Sequence, residues 1–376
     1  MKIAIDTSPL KERGIVQHRV RGTGFYIENL KKSLIKYYPQ HKYIFFTQHQ
    51  SGAGFTRGEK LPKDVDLVHY PYFEPFFLTL PILNNHKTVV TVHDLTPLVF
   101  PKEFPIGVKG KFKWEIQKRA LKNADNIITD SGCSKKDIVK FTGISEEKIS
   151  VVYLAAGEEF RQVQSSTLRL RPAPDGAGLR SGQEFKIQSL RNKYSLPEKF
   201  VLYVGDVTWN KNLPRLVEGI QKINVTLVMA GSALVRKEFD QFNPWNQDLL
   251  KVQKLARGDK RIIILGFVST EDLVALYNTA TVFAMPSLYE GFGLPLLEAM
   301  SCGCPVLTTK EGSIPEVAGK AAYNVDAYDT NDIANGIGEV YFNQKLQKEL
   351  SQKGLMQAKK FSWKKTAENT VNVYER

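Results

Sequence analysis

The chain has 376 residues, of which 42% are hydrophobic and 24% charged, and its formal net charge is +13. This composition is typical of a folded globular protein, and the length exceeds the usual size of one hydrophobic core, so two domains are expected. Three cysteines, Cys133, Cys302 and Cys304, cannot supply a disulfide framework, and no partner pair is available for a metal site. We expect them to be buried and reduced, which favours a cytoplasmic location.

The first residues, Met1 to Asp6, are typical of a buried strand rather than of a secretory leader, because an acidic residue follows the apolar ones at once. No apolar run reaches the about 20 residues needed to cross a bilayer. The sequence therefore predicts a cytoplasmic protein, either soluble or peripheral on the inner face of the membrane.

The excess positive charge falls on residues 1–160 and 161–200, whereas the rest of the chain is nearly neutral. A basic half indicates an anionic partner such as a phospholipid surface, a phosphorylated acceptor or nucleic acid. A basic surface that only confers solubility is equally compatible with the sequence. Nucleic acid is not expected, because the basic residues do not alternate with exposed aromatic residues on a recognisable binding module.

The first half alternates short apolar runs with helical stretches, the pattern of a parallel sheet covered on both faces. Strands are predicted at Lys2–Asp6, Tyr43–Thr47, Leu67–Tyr70, Thr88–His93, Asn126–Thr129 and Ile149–Leu154. Helices are predicted at Phe25–Tyr38, Val108–Asn123 and Lys135–Phe141, and Ser131 or Ser134 could cap the last of them.

The alternation stops after residue 162. The run from Arg171 to Gly178 is rich in turn-forming residues and has no periodicity, which is typical of a linker or a flexible insertion. We therefore predict an N-terminal domain over 1–162, a linker or insertion over 163–198, and a C-terminal domain over 199–361. The last stretch, 362–376, is predicted to be a helix that packs back on the N-terminal domain.

The second half resumes the same alternation. Strands are predicted at Phe200–Val204, Val225–Met229, Arg261–Leu265, Thr281–Met285 and Pro305–Thr308. Helices are predicted at Leu213–Ile223, Trp245–Leu255, Thr270–Asn278, Leu294–Met300, Asn331–Asn343, Lys345–Lys360 and Ser362–Tyr374. The predicted fold class is α/β, with two Rossmann-like domains that face each other across a cleft.

One stretch of the second half, Met285 to Glu316, combines a strand, a glycine-flanked loop and a helix. The polar loop Ser287 to Gly293 leads into the helical run Leu294–Met300. This order lets a parallel sheet present backbone N–H groups to an anion. Two carboxylates, Glu290 and Glu298, flank the turn and would suit a pocket for a phosphate and nearby hydroxyls. The alternative is that both glutamates are solvated surface residues.

Three further loops are candidate ligand sites, because open parallel sheets bind ligands where their strands end. In the first, Gly22 and Gly24 would allow a ligand close to the backbone, although two glycines also fit a simple turn. In the second, His93 ends a predicted strand. Its side chain could face a ligand or serve the structure alone.

The third loop runs from Gly205 to Asn212. Gly205 ends a predicted strand and Lys211 stands at the start of the next predicted helix, so that a cation and a helix N-terminus would converge on one anion. Lysine as a point charge suits a pyrophosphate. A solvated lysine is the alternative. The sequence has no Gly-x-Gly-x-x-Gly and no Walker motif, which argues against dinucleotide binding and ATP hydrolysis.

Five motifs together carry a family resemblance: Thr91-Val-His-Asp-Leu95, Ala124-Asp-Asn-Ile-Ile-Thr-Asp-Ser131, Gly205 with Asn210-Lys-Asn-Leu213, Glu290-Gly-Phe-Gly-Leu-Pro-Leu-Leu-Glu298, and Phe361-Ser-Trp363. They resemble those of the retaining GT-B glycosyltransferases of family 4, which include bacterial mannosyl- and glucosyltransferases that use nucleotide-sugar donors. The resemblance covers nearly the whole chain except about residues 163–184.

The resemblance implies roles for the matching residues. Glu298 would bind the ribose hydroxyls of the donor, because the two oxygens of a carboxylate match a vicinal diol. Glu290 would contact hydroxyls of the transferred sugar, and His93 would line the reacting centre. Backbone amides near Gly293 and Leu294 would hold the diphosphate.

The resemblance also implies that Lys211 would hold the diphosphate and that Gly205 and Asn210 belong to the same donor-binding loop. Gly24 would leave room for the donor phosphate and sugar. The family usually has an arginine where this chain has Asn210, so one expected phosphate contact is missing. The implied reaction proceeds with retention at the anomeric carbon, without a metal or other cofactor, and no residue is assigned as a nucleophile.

The acceptor side is predicted from the aromatic segment Tyr70 to Leu83 and from a basic helix that follows it. The basic residues of that helix are Lys109, Lys111, Lys113, Lys118, Arg119 and Lys122. They could dock the first domain on an anionic membrane that carries a lipid-linked or glycan acceptor. The alternative is that the aromatic residues belong to the core and the lysines to a solvated face.

Overall similarity to mannosyltransferases favours mannose from a guanine nucleotide as the donor, with a uracil-linked hexose as the alternative. Two other functions stay open at this point. A nucleotide-sugar epimerase on the same fold would need acid and base carboxylates in the cleft, and would not need the two spaced glutamates. A non-catalytic nucleotide-sugar-binding protein would be compatible with the charge and with Asn210.

Overall fold

The computed structural model describes residues 1–11, 20–47, 49–51, 54–56, 61, 64–82, 85–162 and 189–376. Contacts divide the chain into two compact units. Unit 1 comprises Met1–Ala155, Tyr289–Phe292 and Phe361–Arg376, and unit 2 comprises Ala156–Leu288 and Gly293–Lys360. The predicted linker run from Arg171 to Gly178 lies outside the described residues, so the domain boundaries inferred from the sequence stay predictions.

Unit 1 contains a parallel sheet of six strands. In chain order they are β1 (Lys2–Asp6), β2 (Lys42–Phe46), β5 (Leu67–Tyr70), β6 (Lys87–Thr91), β7 (Asn126–Thr129) and β8 (Ile149–Val151), while β3 (His49–Ser51) and β4 (Gly54–Thr56) form a separate antiparallel hairpin. The spatial order is β2-β1-β5-β6-β7-β8. The central strands are nearly continuous apolar runs because helices cover both faces of a parallel sheet.

Helices of unit 1 connect these strands. They are Ser8–Lys11, Phe25–Tyr37, Thr96–Val99, Val108–Lys122, Gly132–Thr142 and Trp363–Tyr374, with a π-helical turn at Val20–Gly24 and a 3-10 turn at Glu146–Lys148. Ser131, rather than Ser134, caps the helix Gly132–Thr142, since its Oγ accepts a hydrogen bond from Ser134 N at 3.0 Å. The last helix packs on the helix Phe25–Tyr37.

Unit 2 repeats this architecture. Its strands are β9 (Val201–Val204), β10 (Leu227–Ala230), β11 (Ile262–Gly266), β12 (Val282–Met285), β13 (Val306–Thr308) and β14 (Tyr323–Asn324), and their spatial order is β11-β10-β9-β12-β13-β14. All pairings are parallel. Its helices include Leu213–Gln221, Gln247–Ala256, Thr270–Thr279, Leu294–Ser301, Ile314–Ala318, Thr330–Phe342 and Gln344–Ala358, with 3-10 turns at Trp209–Lys211, Ser232–Val235 and Pro244–Asn246.

The predicted α/β class with two parallel sheets is confirmed, and every strand predicted from the sequence is present with small shifts at its ends. Four kinds of feature were not predicted from the sequence: the hairpin β3-β4, the edge strand β14, the short helices Ser8–Lys11, Thr96–Val99 and Ile314–Ala318, and the 3-10 and π-helical turns. Among the described residues, no helix has both the length and the apolar character needed to cross a membrane. All three cysteines are free, and Cys302 and Cys304 are buried as predicted, whereas Cys133 is only half-buried.

A buried hydrogen-bond network fastens the last helix to the sheet of unit 1. His69, in β5, is fully buried, and its Nδ1 lies 2.7 Å from Tyr374 Oη in that helix. Its Nε2 lies 2.8 Å from Thr91 Oγ1 in β6, and Thr91 Oγ1 lies 3.1 Å from Tyr26 Oη. Burial lowers the pKa of His69 to about 3. The imidazole is therefore neutral in the folded protein, with one ring nitrogen as donor and the other as acceptor.

We predict that this network makes stability fall on mild acidification. His69 stays neutral when folded but gains a proton when unfolded below pH about 6.5, so its contribution to the free energy of unfolding is complete above that pH and shrinks by about 1.4 kcal/mol for each lower pH unit. Between pH 7 and pH 5, urea unfolding of the wild type should therefore lose about 2 kcal/mol more stability than the His69→Gln variant loses.

Two comparisons make this result specific to His69. The His86→Gln variant changes a histidine outside the network and should keep the wild-type pH dependence. His93, discussed below, has a raised pKa and contributes stability below pH about 6.5 that is lost at higher pH, but this contribution is common to all three proteins. Equal losses in the wild type and His69→Gln would contradict the prediction.

Candidate active site

His93 and Asp130 form a close pair at the edge of the sheet in unit 1. His93 follows β6 and Asp130 follows β7, and these strands are parallel neighbours, so their carboxyl ends meet. His93 Nδ1 lies 2.6 Å from Asp130 Oδ2. The Asp130 side chain is 4% exposed and that of His93 is 20% exposed. A carboxylate with so little exposure to solvent needs a charged or hydrogen-bonding partner, which His93 provides.

The electrostatics of this pair favour a protonated imidazole. Burial by itself lowers the pKa of His93, but the charge of Asp130 and its hydrogen bond outweigh burial and raise the pKa above its ordinary value. Asp94 adds to this effect. His93 therefore combines partial access to solvent with a fixed orientation and a perturbed pKa, which are the properties expected of a functional histidine.

Glu290 lies in a loop of unit 1, Tyr289–Phe292, that we call the Glu290 loop. Gly291 packs directly against the turn that carries His93: a Cβ atom on Gly291 would lie 3.1 Å from His93 O and 2.6 Å from Asp94 Cβ. Only a glycine fits this approach without displacing one of the two segments. Two predicted site residues, His93 and Glu290, are thus brought onto neighbouring segments.

Aromatic side chains anchor both ends of the Glu290 loop. The Tyr289 hydroxyl donates a hydrogen bond to Asp137, and its ring lies edge-on to Phe100 with the centroids 5.3 Å apart. Phe292 packs edge-on against Phe361, with the ring centroids 6.1 Å apart. Glu290 itself is 6% exposed. The alternative that it is a solvated loop residue is therefore wrong.

Gly24 ends the π-helical turn Val20–Gly24 and leads directly into the helix Phe25–Tyr37. Its φ and ψ angles, −63° and −42°, are those of a right-handed helix. Residues 21–24, predicted to form a loop, lie in this π-helical turn, whereas the helix itself begins at Phe25 as predicted. The proposed contact of Gly24 with a donor stays a prediction, and the side chain of Arg21 lies outside the description.

In unit 2, two glycines follow neighbouring strands at positions where a side chain would meet close neighbours. Gly205 follows β9, and a Cβ atom on it would lie 2.7 Å from Tyr203 Oη. Gly231 follows β10, and a Cβ atom on it would lie 2.1 Å from Gly205 O. Neither position has room for a side chain. The carboxyl edge of this sheet is therefore lined by backbone rather than by side chains at this point.

Lys211 ends the 3-10 turn Trp209–Lys211 and lies two residues before the next helix, whose start at Leu213 is as predicted. The helix begins at Leu213, because Pro214 favours a helix start and Asn212 adopts a left-handed conformation with φ 59°. Asn212 Nδ2 donates to Pro286 O at 2.9 Å, just after β12. Lys211 is therefore held beside the end of that strand.

Asn210, which stands where the family usually has an arginine, is buried and locally engaged. Its Oδ1 accepts a hydrogen bond from Thr208 Oγ1 at 2.7 Å, and its backbone oxygen accepts one from Leu288 N at 2.7 Å. Asn210 thus ties its loop to the segment that follows β12. The side chain serves the loop's own conformation, and the structure gives a local reason for an amide at this position.

Glu298 lies on the helix Leu294–Ser301, which we call the Glu298 helix. Gly293 precedes it with φ +94°, a left-handed conformation that favours glycine, and so lets the chain turn sharply from the loop into the helix. Glu298 is 8% exposed, and its Oε2 accepts a hydrogen bond from Tyr277 Oη at 2.9 Å. The alternative that Glu298 is a solvated surface residue is wrong.

Tyr277 is a donor that the sequence analysis missed. It lies on the helix Thr270–Thr279 and is fully buried. Burial and the charge of Glu298 raise the pKa of Tyr277 well above the ordinary value. Its hydroxyl therefore stays protonated and donates a hydrogen bond to Glu298. The apolar periodicity of a helix predicts which face is buried, but it does not predict which buried hydroxyl donates to which carboxylate. The sequence carried no signal for this pair.

A reaction without a metal ion stays a prediction. Across the parts of the chain that the structure describes, no group of three or more histidine, cysteine, aspartate or glutamate side chains is arranged to hold a metal ion. One Asp-x-Asp spacing, Asp64-Val65-Asp66, lies at the opposite end of β5 from Tyr70. There Asp64 pairs with the Lys2 ammonium, and Asp66 accepts a hydrogen bond from Lys2 N at 2.7 Å.

Comparisons with known proteins identify the class to which this fold and these residues belong. A sequence model described as Glycosyl transferases group 1 matches residues 186–356, and one described as Glycosyltransferase Family 4 matches residues 20–156. The structure is similar to that of HepE from Anabaena in complex with UDP-glucose, with a TM-score of 0.69, 15% identity, and coverage of 100% of this chain and 99% of that one.

Two curated relatives come from Escherichia coli. The serotype-specific mannosyltransferase WbdA is 30% identical over 77% of this chain and 33% of its own length. The O-antigen chain mannosyltransferase B is 29% identical over 82% of this chain and 75% of its own length. This chain thus spans about a third of the length of WbdA. The chain belongs to the GT-B glycosyltransferases of family 4.

The close approach at Gly291 makes a testable prediction about the Glu290 loop. In the Gly291→Ala variant, the new methyl group would overlap Asp94 and must push the loop away from His93, at a cost of about 1–3 kcal/mol. Hydrogen exchange of backbone amides in residues 289–292 should therefore become faster than in the wild type.

Gly338→Ala provides the control for this variant. Gly338 lies in the helix Thr330–Phe342, and no described atom lies within 4 Å of a Cβ atom there. Alanine also favours a helix over glycine, so this variant should match or exceed the wild type in stability and leave exchange in the Glu290 loop unchanged. Unaltered exchange in the Glu290 loop of Gly291→Ala would show that the contact does not hold the loop.

Proposed function

We propose that the chain is a retaining glycosyltransferase that moves a hexose, with mannose as the first candidate, from a nucleoside-diphosphate sugar to a glycan or lipid-linked acceptor in polysaccharide biosynthesis. Two relatives are named as mannosyltransferases, which favours mannose, and HepE was crystallised with UDP-glucose, which favours a nucleotide-sugar donor. The observation that carries the proposal is Glu298, a buried carboxylate that Tyr277 orients near the start of a helix.

Glu298 would bind the ribose of the donor. A carboxylate can accept hydrogen bonds from both hydroxyls of a vicinal diol, and Tyr277 limits the rotation of its side chain. A buried carboxylate is costly to keep unless several hydrogen bonds satisfy it, and the hydroxyls of a bound ribose would be further donors to it. We therefore assign donor binding, rather than a step of bond making or breaking, to Glu298.

The donor diphosphate would lie at the N-terminus of the Glu298 helix. The backbone amides near Gly293 and Leu294 and the positive end of the helix dipole favour an anion there. Lys211 and the backbone next to Gly205 would add to this field, whereas Asn210 contributes no charge. Stabilising the leaving diphosphate in this way lowers the barrier without a metal ion.

Transfer would then occur on one face of the sugar. The bond between the anomeric carbon and the phosphate oxygen breaks, a bond from the acceptor hydroxyl oxygen to that carbon forms, and the acceptor proton passes to the leaving phosphate oxygen. Transfer on one face gives retention at the anomeric carbon without a covalent enzyme intermediate. Glu290 and His93 would hold hydroxyls of the transferred sugar during this step.

The assignment of Glu298 predicts a selective loss of donor binding. A nucleoside diphosphate that binds only the folded protein raises its melting temperature. The wild type should be stabilised by GDP or UDP, and Glu298→Gln should lose most of that shift, because removing the charge weakens a hydrogen bond of about 1.5–3 kcal/mol and reduces affinity at least about tenfold.

Glu339→Gln makes the same chemical change on an exposed position of the helix Thr330–Phe342 and should keep the wild-type response. Titration calorimetry with the better nucleotide then gives the affinities directly. Equal affinity in Glu298→Gln and the wild type would overturn the role of Glu298 in ribose binding. A response to GDP but not UDP, or the reverse, would identify the base.

The acceptor side has a candidate membrane-facing surface on the basic helix, Val108–Lys122. Gln117 fastens this helix to the aromatic segment before it: its Oε1 accepts hydrogen bonds from Thr79 N at 2.8 Å and Leu80 N at 2.9 Å. The predicted aromatic segment thus divides in two. Tyr70, Phe73, Phe76 and Leu80 are buried in the core, while Phe77 and Ile82 are exposed and Leu83 lies outside the description.

Exposed apolar and basic side chains meet on this surface. Val108 and Phe112 are 84% and 68% exposed, and one helical turn separates them. Lys113 lies over the ring of Phe77, with Nζ 5.7 Å from the centroid. Lys109, Lys111, Arg119 and Lys122 are exposed on the same helix. Apolar side chains that enter the headgroup region, surrounded by cations, are typical of peripheral binding to anionic lipid.

We propose that this surface docks unit 1 on an anionic bilayer at the inner face of the membrane. The wild type should float with vesicles rich in phosphatidylglycerol at low salt and much less with pure phosphatidylcholine, because each basic residue near an anionic surface contributes about 1 kcal/mol. The double variant Val108→Ser/Phe112→Ser should bind several-fold less. Phe242→Ser, which changes an even more exposed phenylalanine of unit 2, should bind like the wild type. No flotation of the wild type at low salt would refute the proposal.

A further inference from the structure

Asp130 contacts the histidine of the candidate site through a geometry that the sheet fixes. Strands β6 and β7 pair in parallel, and Val92 N donates to Ile128 O at 2.9 Å just before His93 and Asp130 leave the sheet. The pairing of the two strands thus places His93 and Asp130 side by side, and their side chains meet with Nδ1 of His93 2.6 Å from Oδ2 of Asp130.

Tyr26 constrains the imidazole from another direction. Its ring lies edge-on to His93, with the centroids 4.9 Å apart and an interplanar angle of 87°. Tyr26 is itself buried, and its hydroxyl lies 3.1 Å from Thr91 Oγ1. One neighbour thus fixes the position of Nδ1 and the other fixes the plane of the ring, which leaves one direction for Nε2.

The second nitrogen of this ring, Nε2, is a candidate contact for a ligand. His93 Nε2 is buried, and within the described part of the chain it makes no hydrogen bond of acceptable geometry. The backbone of Pro71 lies near enough to favour the charged ring but does not complete such a bond. Buried polar atoms without a partner are uncommon in proteins, and a substrate atom is one way to satisfy them.

We propose that Asp130 is a positioning residue for His93. Its carboxylate keeps a proton on Nδ1 of the imidazole and thereby directs Nε2 to a hydroxyl or a developing oxyanion of the bound sugar donor. Asp130 itself would not touch the substrate. The proposal rests on the proposed function for the identity of the ligand, but the orientation of His93 can be measured without it. In a histidine that accepts or donates through Nε2, the bond made by Nδ1 sets the tautomer.

Several charged or titratable groups surround His93 and enter any pH dependence. Asp130 and Asp94 favour the protonated ring, whereas His69, behind it, remains neutral. Tyr26 keeps its proton because burial raises its pKa. Glu290 lies on the loop that packs against the backbone of His93. Removing the charge of Asp130 should therefore lower the pKa of His93. In a plot of kcat against pH, the limb that reflects the titration of His93 should then move to lower pH.

The kinetic test compares Asp130→Ala and Asp130→Asn with the wild type. We expect Asp130→Ala to reduce kcat roughly 100-fold and Asp130→Asn less, because asparagine keeps an acceptor for Nδ1. KM for the donor should stay within about threefold, and the pH limb should shift to lower pH in both variants. Asp125→Asn is the matched control: Asp125 joins the amino ends of the same two strands through Thr88 N at 2.7 Å, so it should keep the wild-type profile.

A spectroscopic test separates this proposal from the proposed function. Selective ¹⁵N labelling of histidine gives few signals, since the chain has 6 histidines, and His93→Gln identifies the signal of His93. Above the pKa of His93, the neutral ring of the wild type should carry its proton on Nδ1, whereas Asp130→Ala should lose that preference and titrate at lower pH. An unchanged tautomer and pKa in Asp130→Ala would overturn the positioning role even if activity fell. If His93 shows the expected tautomer but the protein transfers no sugar, the positioning role stands and only the proposed function is contradicted.

Discussion

The parallel arrangement of strands in each unit determines where chemistry can occur in this protein. All strands of a parallel sheet leave at the same edge, so the residues that follow them are collected there whatever their separation in sequence. In unit 1 this edge carries His93 and Asp130, after β6 and β7. In unit 2 it carries Gly205 and Gly231, after β9 and β10, and the segment after β12 that Asn210 and Asn212 hold by hydrogen bonds. Each unit therefore supplies a rigid frame on which short loops present polar groups.

The buried carboxylates are the costly part of this arrangement. Asp130, Glu290 and Glu298 are each less than a tenth exposed, and burial of a carboxylate is unfavourable unless partners satisfy it. His93 serves Asp130, and Tyr277 serves Glu298. Such sites are retained where function needs them, because an apolar side chain would be more stable in the same place. In the proposed complex, hydroxyls of the donor would bind Glu290 and Glu298, so that binding and stability are linked, whereas Asp130 would act only through His93.

Much of the fold follows from local sequence, since continuous apolar runs bounded by polar turns predict the strands of a parallel sheet. Glu290, Glu298 and His93 could be selected for the same reason, because their positions relative to strand and helix ends were visible. The contacts that orient them were not. Tyr277 and Asp130 are recognised as partners only when two helices or two strands are known to be neighbours, and Gly291 only when the approach of two loops is measured. The conformation of Gly24 was also not predicted, since two glycines before a helix suggest a loop rather than the π-helical turn that the structure shows.

We propose that these residues serve retaining transfer of a hexose from a nucleoside-diphosphate sugar. The most direct measurement is to incubate the protein with GDP-mannose or UDP-glucose, with and without a mannose-containing acceptor, and to determine both nucleotide release and the anomeric configuration of the product by NMR. We expect one nucleoside diphosphate for each sugar transferred, release that depends on acceptor, and an α-linked product from an α-linked donor. An inverted linkage, or an epimerised sugar without release of diphosphate, would contradict this account.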